Sequence, residues 1–250
     1  MDEWLKARQL IDEASRIVAL TGAGISTDSG IPDFRGPNGV WTKNPEAIKT
    51  ATLQHYLGDP EIRRRSWQNR LTSPAWTARP NDGHRALVEL ERRTKLVALV
   101  TQNVDELHQQ AGSDPALVLE VHGTQHWVQC WACGERAPMQ VALDRVRAGE
   151  EDPPCRTCGG ILKSATISFG QDLDPDVMSR AHDAVESCEL LLAVGTSLTV
   201  YPAAGLVPLA RAAGARIVIV NAEPTHYDDL ADVVIADPIS EALPAICRGE

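Results

Sequence analysis

The chain has 250 residues, 43% of them hydrophobic, with a formal net charge of -10 at pH 7. That length holds one large domain, or one domain carrying a smaller insert, and the negative charge argues against a general nucleic-acid binder, which would show a basic surface. No apolar run reaches the roughly 18 residues that span a bilayer, and the start Met1-Asp2-Glu3-Trp4-Leu5-Lys6 has no basic segment followed by an apolar one, so a cytoplasmic protein with neither leader nor anchor is expected.

Residues 2–15 place Trp4, Leu5, Ala7, Ile11 and Ala14 on one side of an expected helix. The β-branched run Ile17-Val18-Ala19-Leu20 predicts a buried strand. It leads into Thr21-Gly22-Ala23-Gly24-Ile25-Ser26, where two glycines allow the close backbone approach that a phosphate requires. A second glycine turn follows, then Pro32-Asp33-Phe34-Arg35. Residues 36–80 start with turn chemistry, Gly36-Pro37-Asn38-Gly39, and continue as loop and helices; Arg63-Arg64-Arg65 predicts a solvated helix face. Asp82 is the expected cap of a helix over 84–93.

A second strand over 96–100 ends in Thr101-Gln102-Asn103-Val104-Asp105-Glu106-Leu107-His108. A third, over 118–123, ends in His122-Gly123. Later strands are expected over 189–194, 216–220 and 232–235, with a helix over 203–213. Apolar strands alternating with helices predict an α/β fold, a Rossmann-like doubly wound parallel sheet. The polar clusters at 21–35, 101–108, 122, 195–197 and 221–223 follow strand after strand. In an open parallel sheet those ends share one edge, where ligands bind.

Six cysteines in a reducing compartment call for a reason other than disulfides. Cys130-Trp131-Ala132-Cys133 and Cys155-Arg156-Thr157-Cys158 are two Cys-x-x-Cys knuckles separated by 21 residues. Four thiolates close a tetrahedral zinc site and leave no open position, so the expected zinc is structural. Cys188 and Cys247 read as small hydrophobes.

The cofactor motif departs from the dinucleotide fingerprint. Gly22-x-Gly24 is followed by Thr27 where a third glycine is expected, and no acid ends the second strand at the usual distance. The acid arrives late, as Glu223. Asn103 and Asp105 are then free for the nicotinamide-ribose end, and His122 for a base acting on a ribose hydroxyl. Hydride transfer has no use for so many groups around a ribose; chemistry at the glycosidic carbon does.

These motifs, in this order, resemble the sirtuins, the NAD-dependent protein-lysine deacylases. The resemblance rests on Gly22-Ala23-Gly24-Ile25-Ser26, Gly30-Ile31-Pro32-Asp33-Phe34-Arg35, Thr101-Gln102-Asn103-Val104-Asp105, His122-Gly123, both knuckles, Gly195-Thr196-Ser197-Leu198 and Asn221-x-Glu223. It covers nearly the whole chain. It implies that NAD, consumed as co-substrate, lies along the carboxyl edge of the sheet. Its pyrophosphate would sit on Gly22, Ala23, Gly24 and Ile25 with Gly195, Thr196 and Ser197, and its adenine ribose on Asn221, Ala222 and Glu223, with Ile239 nearby. Gln102, Asn103, Val104 and Asp105 would hold the nicotinamide side. Asp33, Phe34 and Arg35 would form a flap, Phe34 shielding the ribose carbon, and Trp41 would be a further cofactor contact.

By the same resemblance the acyl oxygen of an acylated lysine displaces nicotinamide. His122, with Asn103, then serves the ribose hydroxyls, and the products are lysine and O-acyl-ADP-ribose. The peptide would add as a strand between Ser168-Phe169-Gly170 and Thr199-Val200-Tyr201. The implied organisation is a discontinuous NAD-binding domain over 1–45, 81–127 and 164–250. A helical insert over 46–80 and a zinc insert over 128–163 would form the small domain. Gln171 stands where the family often has glutamate. Trp67-Gln68-Asn69-Arg70 lies where sirtuins acting on acidic acyl groups carry Tyr-x-x-Arg, and the missing tyrosine favours neutral acyl groups. Acylated-lysine proteins or peptides are the expected partners, with no nucleic acid and no membrane. The alternatives are protein mono-ADP-ribosylation from the same NAD site and a non-enzymatic, NAD-responsive binding module.

Overall fold

A computed structural model describes residues 2–249. The first helix, α1 (Asp2–Glu13), buries Ala7, Leu10 and Ile11. Trp4 packs against that core, whereas Leu5, expected on the same side, is 67% exposed. At 100° per residue, Leu5 falls on the face opposite the Ala7–Ile11 stripe.

Strand β1 (Ile17–Thr21) is followed by short helices α2 (Val40–Lys43) and α3 (Leu53–Gly58), then α4 (Pro60–Leu71) and α5 (Asp82–Arg92). Asn81, not Asp82, caps α5: its Oδ1 accepts from the amides of Gly83 at 2.9 Å and His84 at 3.4 Å. Its Nδ2 donates to Ile25 O at 2.8 Å, which ties the helix to the loop after β1.

β2 (Leu96–Thr101), α6 (Leu107–Ala111), β3 (Val118–Glu120), β4 (Gly123–Cys130), β5 (Arg136–Pro138), α7 (Met139–Arg147) and β6 (Leu162–Thr166) come next. The third strand ends at Glu120, earlier than expected. Gly123 has φ +69°, and a Cβ there would lie 2.2 Å from Ala165 O, so the chain turns sharply at His122 and enters a different sheet. The chain closes with α8 (Pro175–Ser187), β7 (Leu190–Val194), α9 (Leu206–Ala212), β8 (Arg216–Val220), β9 (Val233–Ile235) and α10 (Ile239–Cys247).

The larger sheet has six strands in the order β3-β2-β1-β7-β8-β9, and every pairing is parallel. Its central strands are apolar throughout because helices cover both faces. One face packs on α1, α5 and α10, the other on α8 and α9. Cys247 and Cys188 are buried in these two cores, one in each. The chain order reverses between β1 and β7, which opens a crevice at their carboxyl ends.

The smaller sheet, β5-β4-β6, is antiparallel. Its core contains Trp67 of α4, Met139 and Leu143 of α7, and Cys130 and Cys155. Arg63, expected on a solvated face, is buried there instead. It donates to Asp152 at 2.7 Å and to the carbonyls of Tyr56 and Leu57. A buried guanidinium is tolerable because a carboxylate and two helix-end carbonyls satisfy it.

Candidate active site

The glycines after β1 meet another loop. A Cβ on Gly22 would lie 2.7 Å from Gly195 O, one on Gly24 2.7 Å from Gly195 Cα, and one on Gly195 2.4 Å from Ile25 N. Gly24 N donates to Gly195 O at 2.8 Å. The absence of side chains therefore lets the loops after β1 and β7 touch backbone to backbone across the crevice. This adds a structural reason for the Gly-x-Gly beyond room for a phosphate.

The loop after β2 is clamped to them. Asn103 Nδ2 donates to Gly22 O at 3.1 Å and to Ser26 Oγ at 3.2 Å. Ser26 Oγ donates to Asp105 Oδ2 at 2.8 Å, and Asp105 Oδ1 accepts the Leu107 amide. Gln102 Nε2 donates to Thr196 Oγ1 at 2.9 Å. Burial pushes the Asp105 carboxyl up, against the lowering effect of the Leu107 and Ser26 bonds.

His122 sits in the turn between the two sheets. Its Nδ1 lies 3.1 Å from Gln102 O. A carbonyl only accepts, so Nδ1 carries the proton and Nε2 keeps its lone pair. Burial holds the ring below the usual histidine range, partly offset by that bond. Nε2 is thus a proton acceptor at neutral pH.

All these groups line one cleft of about 1330 Å³, together with Asp33, Phe34, Arg35, Trp41, Asn221, Glu223, Ile239, Phe169, Gly170, Val200 and Tyr201. The volume exceeds the 300–1,000 Å³ or so of a typical single-ligand pocket and suits two substrates together. Two expected residues fall outside its lining. Ile25 is buried in the core beneath the loop. Thr199 holds Ser197 through a 2.9 Å hydroxyl contact. The segment 168–170 is already bonded within the chain. Phe169 already exchanges main-chain bonds with Ala51 and Leu53, and Ser168 is closed into a turn by Gln171.

The four cysteine sulfurs lie within 4.8 Å of one another, at 3.5 Å for Cys130–Cys158 and 3.8 Å for Cys133–Cys155. Tetrahedral zinc with sulfur at about 2.3 Å needs edges of about 3.8 Å. A Cβ on Gly160 would crowd the Cys130 and Cys158 sulfurs at 3.1 and 3.2 Å. The geometry fits one structural zinc ion, in a zinc ribbon.

The sequence model described as the Sir2 family matches residues 22–202. The chain belongs to the Sir2 family. As a sirtuin it is 57% identical over 233 residues to an NAD-dependent protein deacetylase 2 of Streptomyces coelicolor, covering 93% of this chain and 97% of that one. It is 39% identical to an NAD-dependent protein deacylase 2 of Archaeoglobus fulgidus, covering 98% and 95%. A structure on the mechanism and regulation of Sir2 enzymes superposes with a TM-score of 0.89 at 39% identity, covering 98% and 96%. A Sir2 structure with deacetylated p53 peptide and 3'-O-acetyl ADP-ribose gives 0.90 at 32% identity, covering 97% and 96%.

Sequence reading missed the support behind this sirtuin's cleft. His84 Nδ1 accepts the Asn81 amide at 3.3 Å, and its Nε2 lies 3.5 Å from Ser26 Oγ. Burial pulls His84 down to about 4. His108 Nε2 meets Thr21 Oγ1 at 3.0 Å, and Thr21 donates to Thr101. Both rings are neutral and hold the loops from below. The Asn81–His84 capping box was the one sequence signal available for either.

Proposed function

We propose that the chain removes acyl groups from protein lysines with consumption of NAD. The observation that carries this reading is the convergence of His122, Asn103, Asp105 and the Gly22–Gly195 loop contact on one two-substrate cleft. When bound, NAD supplies an activated glycosidic carbon and the ribose hydroxyls. The chain's own residues do the rest. Asn103 and Asp105, fixed through Ser26, orient the nicotinamide end. Asn221 and Glu223 face the far ribose. Phe34 excludes water, and His122 Nε2 accepts a hydroxyl proton. Gly170 and the stretch 199–201 receive the peptide. The cysteine-rich ribbon favours a cytoplasmic setting, and the charge of -10 weighs against direct nucleic-acid binding.

Mass spectrometry of products tests this against ADP-ribosylation. Free lysine with O-acyl-ADP-ribose is expected; ADP-ribose left on protein would favour the transferase. The pH profile gives a second check. A depressed histidine stays neutral until the pH falls below its ordinary value of 6.5. The acid limb of kcat/KM is therefore expected below 6.5, and a limb above that value would assign the base elsewhere.

For the acyl group, one observation favours a reading beyond the neutral acyls expected from the missing tyrosine. Arg70 and Lys163 both line the cleft. Burial, helped by the charge of Arg70, pulls Lys163 down to about 7. Among the described residues neither side chain pairs with a carboxylate; Arg70 donates to Ser66 O, and Lys163 to Ser164 O and Thr166 O. Ser66 Oγ and Ser164 Oγ, on residues lining the same cleft, have no hydrogen-bond partner. A buried guanidinium without a carboxylate partner, beside an amine that a nearby anion would keep protonated, favours an anionic guest. Acyl chains ending in a carboxylate are therefore expected to turn over alongside acetyl. Arg70→Met should cut their kcat/KM at least about tenfold and leave acetyl turnover within about threefold.

A further inference from the structure

Three aromatic rings join parts of the chain that the proposed reaction treats separately. Trp41 lies 4.6 Å from Phe34, centroid to centroid, at an interplanar angle of 33°. Its other neighbour is Phe169, at 5.5 Å and 55°. The guanidinium carbon of Arg35 lies 4.6 Å from the Trp41 ring. Phe34 belongs to the flap over the reacting end of the cleft, and Phe169 precedes the residue that receives the peptide. The main chain reinforces the link. Val40 N and Trp41 N donate to the carbonyls of Asp33 and Phe34 at 2.9 and 3.0 Å, so flap and indole form one closed loop. Gly39 makes this closure possible, since a Cβ there would lie 2.5 Å from Phe34 C. Phe169 is pinned on its other side by main-chain bonds to Ala51 and Leu53.

Phe34 itself is 43% exposed. An exposed ring in a loop keeps its place through its neighbours, and here that neighbour is Trp41. With the Phe169 main chain already pinned, a peptide seated beside it fixes the Phe169 ring against which Trp41 rests, and a fixed Trp41 holds Phe34 down. The converse holds for a cofactor that draws the flap closed. Such a link is a coupling free energy and acts equally in both directions.

We propose that Trp41 is a positioning residue that couples occupancy of the peptide groove to closure of the Phe34 flap. This rests on the deacylase reading, in which the two ligands are an acyl-lysine peptide and NAD.

The test is a linkage measurement without turnover. Calorimetry gives the Kd of an acetyl-lysine peptide with and without saturating carba-NAD, which cannot lose nicotinamide. In the wild-type protein the analogue is expected to tighten peptide binding about five- to tenfold. In Trp41→Ala the gain should fall below about twofold, while the peptide alone binds within about threefold of wild type. Trp41→Phe keeps a ring between Phe34 and Phe169 and should restore most of the gain. Full coupling in a folded Trp41→Ala, or equal loss in Trp41→Phe and Trp41→Ala, overturns the proposal. Wild-type protein that binds both ligands without coupling overturns it too and leaves the deacylase reading intact. Failure to bind either ligand overturns both.

Discussion

His122→Ala is expected to lower acyl-lysine turnover at least about a hundredfold, the usual contribution of a positioned general base. The thermal melt should stay within a few degrees, because among the described residues the side chain makes a single hydrogen bond, to Gln102 O. The informative readout is the split between two half-reactions. A base that serves the ribose hydroxyls acts after nicotinamide has left. Exchange of labelled nicotinamide into NAD should therefore survive in the mutant while product formation stops. A merely structural histidine would lose both together. Turnover near the wild-type level in His122→Ala would remove it from the chemistry.

Cys133→Ala is expected to give protein with no bound zinc and a small sheet that no longer holds. Three short strands with two short helices bury too little apolar surface to hold without a staple. Here two of the ligands, Cys130 and Cys155, are themselves core residues beside Trp67, Met139 and Leu143. Metal binding free energy is then folding free energy for this part of the chain. Limited proteolysis should cut within 131–160 in the mutant and spare that stretch in the wild type. The six-stranded sheet, with its own two cores, should persist in circular dichroism. Wild-type protein lacking one zinc per chain by metal analysis would refute the site.

The features legible in the sequence were local or periodic. β1, β2, β7 and β8 stand out because buried parallel strands are continuous apolar runs, and polar residues follow them directly. The two knuckles are legible because ligand spacing is a chain property. What was hidden depends on where distant segments meet. Arg63 looks solvated in its run of three arginines, and only the fold brings Asp152 to it. Apart from the Asn81–His84 capping box, His84 and His108 carry no local mark of meeting beneath the cleft, where their rings lie 4.9 Å apart at 58°. Arg70 and Lys163 become neighbours only when α4 packs on the small sheet. Strand β3 was overextended because the turn at His122 is set by contact with Ala165, more than 40 residues later.

That turn has a mechanical meaning. Gly123 pairs with Thr166, and Ile167 N donates to His122 O at 2.8 Å. The two chain passages at this crossing are thus zipped together into a short ribbon. A hydrogen-bonded ribbon bends readily and resists shear, so relative motion of the sheets would be a hinge with little sliding. His122 stands at the root of one passage and Phe169 just beyond the end of the other. Any such bend would carry His122 and Phe169 together and keep their separation nearly constant while the cleft changes width.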